Sequence, residues 1–273
     1  MRGRVQERNG LLNGIPVAAR TRRAGAAAVR DGAVAAYDAF LMGRELLHRR
    51  KRGGKLDDAI EYFRRALRLD GLYAPAHALM GIASGLSTPS GQQAKWLAIP
   101  HLDRARELDP GLPEVYAGYA LLNINEEPDS AVRHATKALQ LNPNYADAYA
   151  YLGQLYIVTG QAEKAIEPTV TAMAINPNYP FWYHYTYGFA HYFLGEFDKA
   201  AENIEKAVER NPNVFFVRIA YAASLAMAER LDDAQWQIDE LHGLGFNKTL
   251  DDLISESPLQ DQEYRTLLRE GLV

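Results

Sequence analysis

The sequence contains no cysteine, so no disulfide, zinc–thiolate or iron–sulfur site and no thiol nucleophile can be built from it. Long apolar runs are missing too. Stretches such as Ile219 to Ala223 fall far short of the ~20 residues a membrane-spanning helix needs. Strong net charge is absent: 30 Lys and Arg against 34 Asp and Glu leave −4 over 273 residues, which gives no whole-chain case for nucleic-acid binding. What is present is 48% apolar and 23% charged residues, the composition of a folded chain with ample length for a core.

The order along the chain is periodic. Small residues recur at Ala59, Ala98, Ala131, Ala165, Ala200 and Ala234, at intervals of 39, 33, 34, 35 and 34. Seven residues later stand Ala66, Ala105, Ala138, Ala172 and Ala207, with Leu241 in the sixth place. Five further on come Gly71, Pro110, Pro143, Pro177 and Pro212. Three registered columns with a period near 34 define a repeat protein. Each unit reads as two helices joined by a turn, as at Val158-Thr159-Gly160-Gln161. Gly43, Gly81, Gly153 and Gly188 lie on first helices, where glycine costs roughly 1 kcal/mol against alanine. Close approach of two backbones is the compensating reason. The Asn-Pro or Asp-Pro step then ends the second helix. First helices are predicted near 35–48, 74–86, 113–124, 146–159, 180–194 and 214–229. Pro100 and Pro168 lie about two turns into second helices, where local irregularity is expected.

The template unit Ala146 to Asn176 carries Tyr149, Leu152, Gly153, Tyr156, Gly160, Ala165 and Ala172, followed by Pro177. This pattern resembles the tetratricopeptide (TPR) repeat over roughly Ala35 to Leu241. The resemblance implies an all-α fold: a right-handed α-solenoid of about six helix-turn-helix repeats with a C-terminal capping helix. The last unit departs from the pattern, with Ala222 for the glycine and Arg218 for the bulky residue. Three regions are expected: a basic, disordered arm over 1–34, the solenoid over 35–246, and capping helices over 247–273. Residues 1–55 carry 13 basic and 4 acidic side chains, and residues 56–273 carry 17 and 30. The neutral-looking total is therefore a basic arm joined to an acidic solenoid. The Arg-rich start is also compatible with a transit peptide, and Leu11 to Ala19 with a poor signal peptide, interrupted by Asn13, Gly14 and Pro16. At the other end, Leu253, Ile254, Leu259, Tyr264, Leu267 and Leu268 are expected to cover the last unit.

No catalytic constellation emerges. Gly54-Lys55 lacks the other residues of a phosphate-binding loop, and no G-x-S-x-G, H-E-x-x-H or S-x-x-K occurs. His184 and His191 share a helix face, but no third ligand has matching spacing, so both read as packing residues. Paired acids such as Asp57-Asp58 and Asp232-Asp233 sit at helix starts, where carboxylates favour the dipole. The chain is expected to be non-enzymatic, with no cofactor and no metal.

Phe181 to Phe193 concentrates eight aromatics in 13 residues. Tyr187, His191 and His184 fall on interior columns. The TPR resemblance places the second, fifth, ninth and twelfth residues of each first helix on the concave wall. These positions give a candidate groove of Asp147, Ala150, Gln154, Trp182, Tyr185, Phe189, Tyr192, Phe216 and Ile219, unless the C-terminal cap folds back over it. A carboxylate-clamp pattern is not matched, since Phe40, Arg44, Leu79 and Ile82 hold the early positions. The run Arg49, Arg50, Lys51 and Arg52 is a candidate for weak anionic contact, though not for specific nucleic-acid binding.

The first unit and the closing Tyr264 to Leu272 segment resemble TPR blocks that follow bacterial class III adenylate/guanylate cyclase or winged-helix regulator domains. That resemblance implies a bacterial, cytoplasmic signalling context. Only 34 residues precede Ala35, so a catalytic domain is not expected in this chain. The leading expectation is a scaffold that binds a segment of another protein in its groove. The alternative is a small-ligand-sensing module acting on a separate cyclase or transcription regulator.

Overall fold

The computed structural model describes residues 17–49, 56–87 and 91–272, with side chains from residue 32 to 48 in the first stretch. The described residues form fourteen helices and no strand. Six antiparallel hairpins come first: α1 (Val17–Arg49) with α2 (Leu56–Leu69), α3 (Ala74–Leu86) with α4 (Gly91–Leu108), and α5 (Pro113–Asn123) with α6 (Pro128–Leu141). Then come α7 (Ala146–Val158) with α8 (Ala162–Ile175), α9 (Phe181–Phe193) with α10 (Phe197–Arg210), and α11 (Phe215–Met227) with α12 (Leu231–Gly243). Two short helices follow, α13 (Leu250–Glu256) and α14 (Gln262–Glu270). The structure is an α-solenoid. The expected disordered arm overlaps α1 over 17–34, where the first helix begins well before residue 35; residues 1–16 and the side chains of Arg49 to Arg52 lie outside the described residues.

The repeated alanines form the seam of each hairpin. Ala59, Ala98, Ala131, Ala165 and Ala200 are wholly buried, as are Ala66, Ala105, Ala138, Ala172 and Ala207. Opposite them lie the first-helix glycines. A Cβ on Gly188 would stand 2.6 Å from Ile204 Cγ1 and 3.0 Å from the Ala200 carbonyl. The helices cross closely enough that only a hydrogen fits there.

Local hydrogen bonding punctuates each unit. After α7 and α9, Gly160 and Gly195 take φ of 74° and 75°. The next amides, of Gln161 and Glu196, donate to the carbonyls of Tyr156 (2.7 Å) and His191 (3.0 Å), closing the helix end. Glu229 occupies the same place in the sixth unit with φ 60°, a strained conformation for a residue with a Cβ. Between units, Asp70, Asp109 and Asn142 accept the amides of Leu72, Gly111 and Asn144 at 2.9–3.0 Å. This side-chain turn explains why an acid or amide precedes each glycine or proline there. Both α4 and α8 continue through Pro100 and Pro168. Each proline frees the carbonyl four residues back, and Trp96 and Lys164 at those places are exposed to water.

The last unit replaces part of its apolar seam with polar contacts. Arg218 is buried and donates to the carbonyl of Pro212 (2.6 Å), to Gln237 Oε1 (2.6 Å) and to Glu240 Oε2 (3.3 Å). A guanidinium with every face used in this way satisfies the burial cost that the departure from the repeat pattern creates.

Two substitutions test this account by denaturant unfolding. Gly188→Val is expected to cost about 2 kcal/mol, because Ile204 and the α10 backbone have to move. Glu229→Gly relieves the left-handed strain and is expected to raise stability by up to ~1 kcal/mol.

Candidate functional site

Curvature follows from which helices touch. The first helices of successive units pack on one another, from α1 on α3 to α9 on α11, while second helices make no comparable contact among the described residues. The first helices therefore line the inner side of the stack. Their bend brings Glu45 and His48, at the end of α1, to a cavity shared with the starts of α7 and α9.

The nine groove candidates do not form one surface. Ala150, Trp182, Phe189, Tyr192 and Ile219 are buried, Asp147, Gln154 and Tyr185 are half-buried, and Phe216 is 50% exposed. Trp182 lies parallel to Tyr151 at 5.3 Å and edge-on to Tyr183 at 4.4 Å. It thus fills the joint between the fourth and fifth units together with Ala150. Asp147 accepts a hydrogen bond from the Tyr183 hydroxyl at 2.7 Å.

Phe189, Tyr192 and Ile219 are buried for a different reason. The C-terminal segment reaches beyond the last unit and runs back along the fifth and fourth. Tyr192 Oη donates to the Leu267 carbonyl at 2.7 Å. The Tyr264 ring stacks on Phe193 at 4.0 Å, and its hydroxyl accepts the Ala162 amide at 2.9 Å. Gln260 donates its backbone amide to Val158 O (2.9 Å) and its side-chain amide to Asn125 O (3.2 Å). The C-terminal segment, expected to cover the last unit or to fold back over the groove, therefore touches units three to six.

Two cavities take in groove candidates. One, of about 470 Å³, lies between α9, α11 and the C-terminal segment. It brings together Tyr185, Phe189, Phe216 and Ile219 with Phe215, Phe246, Leu253, Leu259, Leu268 and Leu272. The Tyr185 and Phe216 rings meet edge-to-face at 5.0 Å, and the ion-paired Lys248 and Glu256 also line it. The other, of about 770 Å³, is bounded by Glu45, His48, Asn144, Asp147, Tyr179 and Arg210 among others. Arg210 donates to the Tyr179 carbonyl at 2.5 Å and lies over that ring at 4.7 Å. On the preceding first helix, burial holds the Glu114 carboxyl above its ordinary range, and its Oε2 has no hydrogen-bond partner among the described residues.

The two cavities offer aromatic walls and a few charged side chains. No group of three metal-ligating side chains occurs among the described residues, and no described helix is long and apolar enough to cross a membrane. Sequence reasoning missed Phe215 and Phe246, whose rings meet at 5.3 Å. It also missed the large cavity, whose walls come from α1 and units four and five. The Tyr264-Leu268 spacing of four residues marks an apolar helix face and was the available signal for where α14 docks.

Tetratricopeptide-repeat models match residues 122–180, 181–214 and 51–71. Among solved structures, TTC0263, a thermophilic TPR protein of Thermus thermophilus, is 20% identical with a TM-score of 0.53, over 70% of this chain and 99% of its own. Pseudomonas aeruginosa pilF is 18% identical with a TM-score of 0.53, over 88% of this chain and 99% of its own. At these identities the likeness establishes the fold. No curated protein matches the sequence.

Histidine burial gives the structure an acid dependence. Desolvation, aided by the nearby Arg210 and Lys206 charges, lowers the pKa of His184 to about 4. His77, His101, His134 and His191 are lowered by burial as well. In the unfolded chain histidine titrates near ~6.5, so between that value and about 4 the unfolded state binds the extra proton. Stability is full above the unfolded value and falls as pH drops through that window. The urea midpoint is expected to be lower at pH 5 than at pH 7, with a smaller drop in His184→Phe.

Proposed function

In this tetratricopeptide-repeat protein, built of repeats that generally mediate protein–protein contact, we propose a non-catalytic scaffold that seats a segment of another protein on the inner face of units four to six. The observation that carries this reading is the aromatic cavity of about 470 Å³ formed around Tyr185, Phe189, Phe216 and Ile219, with Phe216 half-exposed at its edge. Apolar surface left open beside polar groups is characteristic of binding sites, and aromatic anchors carry much of the energy in such contacts. Asp147 and Gln154, half-buried on α7, supply polar contacts where the inner face continues toward the fourth unit.

A second reading has its own support. The cavity volume lies within the roughly 300–1,000 Å³ of small-molecule sites, and Lys248 and Glu256 provide charge among its apolar walls. On this reading the chain senses a small apolar ligand and passes the signal to a separate regulator.

The test is selection of peptides from a random displayed library on the intact chain, repeated with Tyr185→Ala/Phe216→Ala. A peptide set enriched on the natural chain and weakened at least tenfold on the variant, with helicity retained, is the expected outcome. A library that yields nothing, together with a defined calorimetric isotherm for a small apolar carboxylate or amine, would move the assignment to the second reading.

A further inference from the structure

The C-terminal segment occupies its surface in the way a bound peptide would. One backbone bond pins Gln260 to the end of α7, and the Tyr192 hydroxyl holds the Leu267 carbonyl. Tyr264 and Leu268, one helical turn apart, place a ring on Phe193 and a buried leucine in the apolar cluster of units five and six. An amphipathic helix laid in a groove by anchors at i and i+4 is a recurrent mode of peptide recognition.

The fit is incomplete. An open cleft of about 470 Å³, with Phe216 50% exposed, remains beside this segment, and Leu268 and Leu272 form part of its wall. The ion pair that ties α14 to α13, Arg269 with Asp251 at 2.7 Å, is largely exposed and contributes little. Residues 244–249, which are not helical, tether the segment to α12.

We propose that the surface on α9 and α11 is a docking site for a short amphipathic helix of another protein, with an aromatic or leucine at i and i+4, and that α14 is its built-in, exchangeable occupant. A partner helix with bulkier apolar residues fills the cavity that α14 leaves and displaces it. This rests on the scaffold reading and specifies its partner. Because the resident segment is tethered, it competes at an effective concentration of order millimolar, so a free helix of equal intrinsic affinity binds weakly until the tethered copy is disabled.

The absence of cysteine permits a clean reversible lock. A Cβ on Gly271 would lie 3.1 Å from that of Ala223, so a disulfide at its usual ~3.5–4.5 Å needs only a small outward shift of the chain end. Tyr192→Phe removes the hydroxyl that crowds the new side chain. The full chain carrying Tyr192→Phe, Ala223→Cys and Gly271→Cys is titrated against a fluorescein-labelled peptide of residues 258–272, reduced and oxidised. The expected result is binding in the reduced form and at least a tenfold loss on oxidation, reversed by reductant. In a second arm, Tyr264→Ala/Leu268→Ala in the full chain is expected to bind the peptide at least tenfold tighter than the natural chain. Equal binding by the locked and unlocked forms overturns the proposal, as does a failure of the crosslink to form, and the lock decides even if the second variant unfolds. Library peptides that require Tyr185 and Phe216 yet ignore the lock would sink this inference and leave the scaffold reading intact. A probe that follows the lock while no foreign peptide is ever selected would show an exchangeable α14 without a partner, and would overturn the scaffold reading and the docking of another protein's helix with it.

Discussion

Two helices of a hairpin approach here as closely as their backbones allow, because wholly buried alanines on one helix face glycine or other small residues on the other. Everything larger in scale inherits that spacing. A narrow hairpin cannot cover its own apolar faces, so each unit needs a neighbour, and the neighbour must be set at the angle its first helix permits. Among the described residues, contacts between successive first helices without matching contacts between second helices turn the stack into a curve with an inside.

The inside has different surfaces along its length. At the joint of units four and five, Trp182 packs flat on Tyr151, so the largest aromatic of the rich α9 segment serves cohesion. One unit further on, Tyr185 and Phe216 lie at a cavity. The difference lies in what faces each ring: α7 supplies Tyr151 to Trp182, whereas the covering partner of Phe216 is a short, tethered helix that leaves space. An aromatic stripe of one composition thus divides into buried core and cavity wall.

Departures from the repeat gather in the sixth unit. Arg218 stands in place of an apolar residue, and Glu229 takes a backbone conformation that glycine holds in the fourth and fifth units. The same unit connects to the C-terminal segment. Interfaces that repeat within the chain are held by the same alanine and glycine columns, whereas the terminal one relies on a polar network and on α13 and α14.

The repeat, its length, the hairpin boundaries and the buried alanine columns were legible in the sequence, because they depend on residues close along the chain and recur six times. The predicted first helices from 74–86 to 214–229 differ from the observed ones by at most two residues at either end. The inner-face positions were legible as a pattern but not as a surface. Helical spacing states which way Trp182, Tyr192 and Ile219 point, yet whether water reaches them depends on Tyr151 and on the C-terminal segment. Those contacts join residues tens of positions apart that follow no period, as with Gln260 on Val158 and Tyr264 on Ala162. Local order was decided by the sequence itself; what the inner face is free to hold was decided only when the stack curved and the chain end came back across it.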